Sequence, residues 1–411
     1  MLHYTYRHRE KKDLLDRLMS ILLALFVSAS YIFARVTYGR YVFLIIAVLA
    51  YLVWACRFNG KLKIRIDKYC GCIIAFGLFC ILSSLWAIDA GLAVTTGITI
   101  IEIFFCIIPF YGYFSEVNDD FSYFDALALA GHVVALYAFV YFGPSGLLKL
   151  LFTSTRMPDS FDNSNSIGMI CAYAIVIDAM KLMSKKPQLH MLLCVPSMLV
   201  VVASGSRKAL LLVILGVIIG YSLKCVFDGR GIAVLKLIAG FLVFSIGLYY
   251  LLSLPVFSMV MTRIERMLLT LSGQGTIDNS TAVRQEMIQI GLKLFKENPI
   301  FGNGMNNSSQ FGGAVIEQYN YLHNNYVELL AGGGLIGTLI YYRLYAIPIF
   351  TIIRRRKDKQ LMDPCVLAIL AVLLIMDYGA VTYYSKSTHV IIAAAYVYTN
   401  VTNKRIGEKS I

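Results

Sequence analysis

Long runs of apolar residues dominate this chain of 411 residues. Most of these runs have roughly 17 to 25 residues, enough to cross the ~30 Å hydrocarbon core of a bilayer as a helix. About twelve such runs lie near residues 18–34, 40–56, 69–87, 92–114, 124–142, 166–184, 190–204, 208–227, 233–252, 326–353, 363–381 and 386–401. The pattern predicts an all-α, polytopic membrane protein with about 12 transmembrane helices.

Composition and charge agree with this fold class. Charged residues make up 15% of the chain, against roughly 25% in soluble domains. The formal net charge is +13, and such a surplus is compatible with nucleic acid, anionic lipid or an anionic substrate as partner. Lysines and arginines concentrate before the first run, between the second and third runs, and after most of the later even-numbered runs. This places both termini in the cytoplasm, and it removes the case for nucleic-acid binding because much of the charge sets the topology.

The spacing of the runs divides the chain into three parts. Residues 1–253 hold the first nine predicted spans, residues 254–325 form one large extracytoplasmic loop, and residues 326–411 hold spans ten to twelve and a cytoplasmic tail. Long structured loops usually carry function. No internal repeat relates the two halves, which disfavours the repeat architecture common in secondary transporters.

Inside the large loop, the stretch DNSTAVRQEMIQIGLKLFKENP predicts a short amphipathic helix. At ~100° per residue its apolar stripe is Val283, Met287, Ile290 and Leu294, and its polar stripe is Glu286, Gln289, Lys293 and Lys296. Arg284 falls on a flank shared with Gly291. We expect Arg284 to point toward protein or substrate, with Gly291 leaving space beside it.

His323 is the leading candidate for chemistry among six histidines. It ends the large loop at the outer face and precedes Asn324, Asn325 and Glu328, which we expect to contact substrate. A histidine with an ordinary pKa of ~6.5 at an aqueous lip can be neutral and accept a proton from a hydroxyl. The alternative is a cap and interface anchor for the helix that follows. His389, the other histidine near the outer face, is the weaker candidate.

The stretch VVASGSRKALLLVILG marks a second candidate site. Gly205 and Ser206 break the chain between two spans at the outer face, so that Arg207 opens a helix with its N-terminus pointing outward. Backbone N–H groups and the helix dipole favour an anion there, and a guanidinium adds bidentate phosphate recognition. The alternative is an arginine that snorkels to mark a boundary.

Other polar residues occupy the same face or the spans themselves. In RMPDSFDNSNSIGM, Asn165 belongs to a polar group at a helix start, where amides suit sugar hydroxyls as well as ordinary capping. Ionisable residues inside spans must face protein or water; they are Glu102, Asp178, Arg343 and Asp377. Asp377 lies toward the outer end of its span and can pair with an outer arginine.

Several sequence signals are missing. The chain has no Walker loop, no dinucleotide glycine fingerprint, no His-Glu-x-x-His motif and no Asp-x-Asp pair. None of the nine cysteines falls in a predicted outer loop, so no disulfide framework is expected. We therefore expect no cofactor and no catalytic metal, which argues against an ATP-driven pump and against a metal-dependent transferase with a nucleotide donor.

Arg207, Arg284 and His323 together suit a lipid diphosphate as donor. Such a lipid keeps its tail in the bilayer while its head group emerges at the interface. Attack by a sugar hydroxyl on the anomeric carbon would expel the lipid diphosphate. Arginines would stabilise the developing negative charge, and the histidine would assist as a general base.

At these residues the chain resembles the superfamily of O-antigen ligases and bacterial polysaccharide polymerases, which make O-antigen, capsule and exopolysaccharide. The resemblance lies in GSRKALL, in the arginine of TAVRQEM followed by FKENPIFGNG, and in LHNNYVELLAGGGLIGTLIYY, with the large outer loop before a late span. It implies a metal-independent glycosyltransferase of the bacterial cytoplasmic membrane with an outward-facing site. Its donor would be an undecaprenyl-diphosphate-linked oligosaccharide. Arg207 and Arg284 would bind the diphosphate, and His323 would activate the acceptor hydroxyl.

The resemblance leaves two branches open: polymerases that join repeat units on the lipid carrier, and ligases that transfer a finished glycan to lipid A core. The HNNYVELLAGGGLIGTLIYY form favours a polymerase, for which a partner that regulates chain length is plausible by analogy. A flippase or other transporter of lipid-linked oligosaccharide is a different possibility, but its arginines would line a central cavity. A scaffold subunit of an assembly complex is the remaining one.

Overall fold

The regular structure is helical wherever this computed structural model describes the chain, namely residues 13–62, 66–153, 157–159, 161–182, 189–229, 235, 279–311, 321–358 and 360–409. No strand occurs in these ranges. The helices are α1 (Leu14–Ile32), α2 (Gly39–Arg57), α3 (Lys68–Leu82), α4 (Ala90–Glu116), α5 (Asp120–Phe142), α6 (Pro144–Thr153), α7 (Ser164–Leu182), α8 (Cys194–Ala203), α9 (Arg207–Phe227), α10 (Asn279–Glu297), α11 (Asn325–Arg354), α12 (Asp363–Asp377) and α13 (Lys386–Lys409).

Seven of these helices are long and apolar enough to cross a membrane: α1, α3 with the following turn, α4, α5, α7, α9 and α11. Two shorter apolar helices cover Tyr41–Arg57 and Met191–Ala203. Eleven of the twelve predicted runs coincide with a helix, and the all-α class is confirmed for the described residues. The run at 233–252 and most of the loop at 254–325 lie outside them, so the count of twelve spans and the three-part division stay predictions.

The sequence pattern did not predict α6. Gly143, with φ +70°, ends α5, and Pro144 then starts α6. Proline suits the first position of a helix because its φ is already helical and no N–H partner is needed there. Ten residues are too few to cross a bilayer, which is why a search for long apolar runs does not find this helix.

Two opposite ends of the helix bundle can be distinguished by their contacts. At the end where α1 begins and α13 ends, Tyr113 donates to Asp16 and Lys404 Nζ donates to the Ser115 carbonyl at 3.1 Å. We call this the terminal end. The first and the last described helix therefore meet the same end of the bundle. Helices α9 and α11 begin at the opposite end.

Residues 298–311, which follow α10, are attached at that opposite end. The Met305 N–H donates to Ser83 Oγ at 3.0 Å, and the Asp89 N–H donates to Asn307 Oδ1 at 2.7 Å. Ser83 and Asp89 flank the turn between α3 and α4. The short loop after α10 is thus hydrogen-bonded to the transmembrane helices.

The same segment crosses α11 at a break in that helix. Gly334 has φ +59° and ψ −160°, which interrupts the helical hydrogen bonds. The Leu335 and Ile336 N–H groups donate instead to the carbonyls of Pro299 and Ile300, at 2.9 and 3.1 Å. Backbone groups in a bilayer need such partners because no water replaces them. The residues just after α10 are therefore held against α11 where its first third ends.

One cluster of buried polar side chains lies between α5, α7 and α8. His132 on α5 contacts Asp178 on α7 at 3.0 Å and Ser197 on α8 at 2.7 Å. Cys194 lies 3.6 Å from the same carboxylate, and the ligand atoms of this His, Asp and Cys lie within 4.8 Å of one another. All nine cysteines are free thiols. Asp178 faces protein, as the sequence argument requires of an ionisable residue within a span.

Candidate functional site

Helix α10 presents Arg284 and packs on the start of α11. Met287 and Leu294 are buried in a small core with Leu322, Val327 and Ala331. This confirms the predicted amphipathic helix and its apolar stripe, and the polar stripe at 286, 289, 293 and 296 is exposed.

Gly291 brings α10 close to Leu322, just before α11, and to Val327 in the first turn of α11. A Cβ atom at this position would lie 2.4 Å from Leu322 Cδ1 and 2.5 Å from Val327 Cγ1. The expectation that Gly291 leaves space beside Arg284 is therefore wrong. The missing side chain permits close packing one residue away from His323, and Arg284 remains exposed on the neighbouring flank.

His323 is half-buried and has a left-handed backbone with φ +57°. Non-glycine residues in this region are uncommon, and strained backbone concentrates at functional sites. The Tyr321 ring lies 4.3 Å from the imidazole between ring centroids. Burial lowers the pKa of His323 to about 4, and the positive charges of Arg284 and Lys208 add to this effect. At neutral pH the imidazole is uncharged and can accept a proton.

Lys208 is the site residue that the sequence argument missed. Ser206 caps α9 through a bond from the Ala209 N–H at 3.3 Å, and Arg207 is exposed on the first turn. Lys208 is half-buried, and its ammonium group donates to the carbonyl of Gly379, just beyond α12. Its position beside Arg207 in GSRKALL was the available signal.

Asn325 connects the start of α11 to the turn between α12 and α13 through hydrogen bonds. Its side chain is fully buried, and Oδ1 accepts from the N–H groups of Thr382 and Tyr383 at 2.9 and 3.1 Å. Its Nδ2 group donates to Tyr342 and Asp377, both at 3.1 Å. All four bonds are internal to the protein.

Asp377 has no arginine partner among the residues that the structure describes. It accepts from Asn325, from Tyr342 at 3.0 Å and from the Thr382 hydroxyl. Neutral donors thus hold this carboxylate. The described helices bring amide and hydroxyl donors to Asp377, whose charge alone had predicted an arginine partner.

The remaining residues around His323 also have internal partners. Asn324 caps α11, because its Oδ1 accepts from the N–H groups of Tyr326 and Val327 at 3.0 and 3.2 Å. Buried Glu328 accepts from the Ser308 hydroxyl and from the Leu322 N–H, the latter at 2.9 Å. These bonds orient the residues directly before and after His323.

Asn165 lies at the same end of the bundle. It is half-buried in the first turn of α7, and its N–H donates to the capping Asn163 at 2.9 Å. One turn later, Gly168 packs against Ser204, where a Cβ atom would lie 2.4 Å from the hydroxyl oxygen. The start of α7 therefore adjoins the turn that leads to Arg207. His389 is fully buried and bonded to the Tyr383 carbonyl at 2.7 Å.

The fold and these residues define a polytopic membrane protein with a cationic site beside a neutral histidine at one end of its helices. Residues 192–342 match the family described as O-antigen ligase. The match supports the resemblance to the superfamily of O-antigen ligases and polysaccharide polymerases. The matched residues include Arg207, Lys208, Arg284 and His323. A comparison with curated proteins finds no significant match.

Proposed function

We propose that this protein is a membrane glycosyltransferase that joins oligosaccharide from an undecaprenyl-diphosphate donor to a sugar hydroxyl. The observation that carries the proposal is the convergence of Arg284 and Lys208 on His323, together with the uncharged state of the imidazole. Cations favour a diphosphate, and a neutral imidazole is the form that accepts a proton. The family match over residues 192–342 supports the same class of reaction.

In the proposed reaction, the acceptor oxygen attacks the anomeric carbon of the donor sugar. The new C–O bond forms as the bond to the lipid diphosphate breaks, and the hydroxyl proton moves to the unprotonated ring nitrogen of His323. The leaving diphosphate gains negative charge, which Arg207 and Arg284 stabilise. No metal ion takes part in this scheme.

The diphosphate also changes the basicity of His323. Arg284 and Lys208 lower the pKa of the free imidazole, and a bound diphosphate neutralises their charge. The pKa therefore rises toward the ordinary value when the donor binds, because one of the causes of the shift is removed. A base with a pKa nearer the working pH is the more effective proton acceptor, so the donor itself activates the histidine.

The other predicted site residues receive different roles. Asn324, Asn325 and Glu328 position His323 rather than contact the sugar, since their side chains are buried and bonded within the protein. Asn165 is half-buried near the turn before Arg207, and it contacts the glycan in our proposal. The site faces outward from the cytoplasmic membrane.

A direct test compares variants of purified protein with lipid-linked repeat units. His323→Ala should remain in the membrane and lose about 10²- to 10⁴-fold in transfer rate, the usual contribution of a general base. Arg207→Lys should lose most activity although the charge is kept, because lysine lacks the planar bidentate fork. Near-normal glycan transfer by both variants would refute the proposed site.

The same preparation distinguishes the two branches. We favour the polymerase, which should extend lipid-linked repeat units when no other acceptor is present. Product that forms only after lipid A core is added would identify a ligase instead. Transport of lipid-linked oligosaccharide without any new glycosidic bond would contradict both.

A further inference from the structure

A cleft of about 280 Å³ lies between α3 and α11, toward the terminal end of the bundle. Four residues of α3 and two of α11 line it: Lys68, Gly71, Cys72, Ala75, Ile340 and Arg343. Gly71 has no side chain and Ala75 has a small one, so α3 projects little into the cleft at these positions. A Cβ atom at Gly71 would meet no atom within 4 Å. The cleft thus combines a small apolar floor with two cations.

The cleft opens sideways, toward the lipid-facing surface of these helices. Gly71, Ala75 and Arg343 are exposed. On the same side of α11, Leu339 is 68% exposed and Phe350 is 60% exposed. Large apolar side chains in this position are typical of a surface covered by lipid tails.

Lys68 and Arg343 have no ion-pair partner within the described part of the chain. The salt bridges of that part involve other cations. An arginine on the lipid-facing side of a span is costly unless it meets an anion, water or the interface. Arg343 must therefore meet an anion, water or the bilayer interface outside these residues.

The depth of the cleft matches the edge of the bilayer. The apolar helix and turn Lys68–Leu85 have 18 residues, which rise about 27 Å at 1.5 Å per residue. This is close to the ~30 Å of the hydrocarbon core. Lys68 is the first residue of α3, so it lies at the boundary where lipid phosphates are found.

We propose that this cleft binds the headgroup of an anionic glycerophospholipid from the leaflet at the terminal end. Lys68 and Arg343 contact the phosphate, and one acyl chain lies along α3 at Gly71 and Ala75. Basic pockets between transmembrane helices are a recurrent means of headgroup recognition. The site is at the other end of the bundle from His323, and it stands whether or not the proposed glycosyltransferase activity is found.

Native mass spectrometry of the detergent-purified full-length protein tests the proposal. The wild type is titrated with phosphatidylglycerol and, separately, with phosphatidylcholine. We expect one phosphatidylglycerol to bind at least about tenfold more tightly than phosphatidylcholine, about 1.4 kcal/mol. The Lys68→Gln, Arg343→Gln double variant should lose this preference.

The matched control is Arg354→Gln with Lys357→Gln, which removes two exposed cations beyond the cleft. It should keep the bound phosphatidylglycerol. The proposal would be overturned if the cleft variant and the wild type retained phosphatidylglycerol equally. It would also be overturned if the wild type bound phosphatidylglycerol and phosphatidylcholine equally. Displacement of the lipid by millimolar inorganic phosphate would also overturn it, because the site would then recognise a free anion.

If the double variant is not monodisperse, Gly71→Leu provides the second test. Leucine is exposed there and would fill the cleft without removing a charge. Loss of the tight phosphatidylglycerol supports the cleft as the binding site, and unchanged binding excludes it.

Discussion

The properties of His323 depend on neighbours that are remote in sequence. Its backbone conformation is left-handed, and its pKa is lowered to about 4 by burial, by Arg284 and by Lys208. These cations belong to α10 and α9, respectively. The fold therefore keeps the imidazole uncharged below pH ~6.5, where an ordinary histidine is mostly protonated.

Replacement of Lys208 by Met should raise the pKa of His323. Removing a positive charge favours the protonated imidazole, so the acid limb of the kcat/KM profile should move to higher pH. The shift should be partial, because burial is the larger cause. Rates measured between pH 4 and pH 8 check this.

Lys208→Arg is the control for that measurement, because it keeps the charge and should keep the acid limb in place. The acid limb of the kcat profile reports the pKa of His323 with the donor bound. In Lys208→Met this limb should move less than the acid limb of the kcat/KM profile. An acid limb that stays fixed in Lys208→Met would exclude this electrostatic role of the lysine.

Adjacent asparagines should respond differently to substitution. Asn325→Ala leaves the N–H groups of Thr382 and Tyr383 without their acceptor, at a cost of roughly 1–3 kcal/mol for each buried group. Asn324→Ser keeps the helix cap, because the serine hydroxyl accepts from the same N–H groups, and it adds no charge beside His323. We expect a clear loss of thermal stability for the first variant and near wild-type stability and activity for the second. Loss of activity in a stable Asn324→Ser protein would instead favour direct contact with substrate.

At the scale of elements, the contact between α10 and α11 locates Arg284 relative to His323. The carbonyls of Pro299 and Ile300 fill the break at Gly334, while Gly291 packs against Leu322. The first of these contacts is backbone to backbone. Glycine is needed because a side chain would separate the two segments.

Gly334→Ala should disrupt this contact. Its Cβ atom would lie 2.4 Å from the Ile300 carbonyl oxygen, and its φ and ψ belong to a region that is essentially restricted to glycine. We expect a destabilisation of at least about 1–3 kcal/mol and loss of activity, measured by thermal unfolding and glycan transfer.

Gly407→Ala is the matched control, because it lies in α13 with no atom within 4 Å of the new methyl group. Alanine is the better helix former there, so this variant should be neutral or slightly stabilising. Equal stability of both variants would show that the break at Gly334 does not need glycine.

At the scale of the whole molecule, the two ends of the bundle differ in chemistry. The terminal end joins the first and last described helices through Asp16, Tyr113, Ser115 and Lys404. The opposite end carries His323 and the helix start at Arg207. The positive-inside rule predicts that the terminal end is cytoplasmic, and on this basis we propose that the site faces outward.

Cysteine labelling in intact cells tests this orientation. In a Cys56→Ser background, which removes the exposed native thiol, Tyr321→Cys should react with a membrane-impermeant maleimide. Lys357→Cys should react only after the cells are lysed. Both native side chains are exposed, so accessibility within the protein is matched. The reverse labelling pattern would place the site in the cytoplasm.

The sequence by itself determined the all-α membrane class, the helix that carries Arg284 and the break before Arg207. These follow from local periodicity, apolar run length and capping residues. Such signals depend only on residues that are close together in sequence. The tertiary structure decided the place of Lys208, the partners of Asp377 and the packing at Gly291. Each of these depends on which helices meet, and contacts between residues more than a hundred positions apart, such as Lys208 with Gly379, leave no periodic signal in the chain.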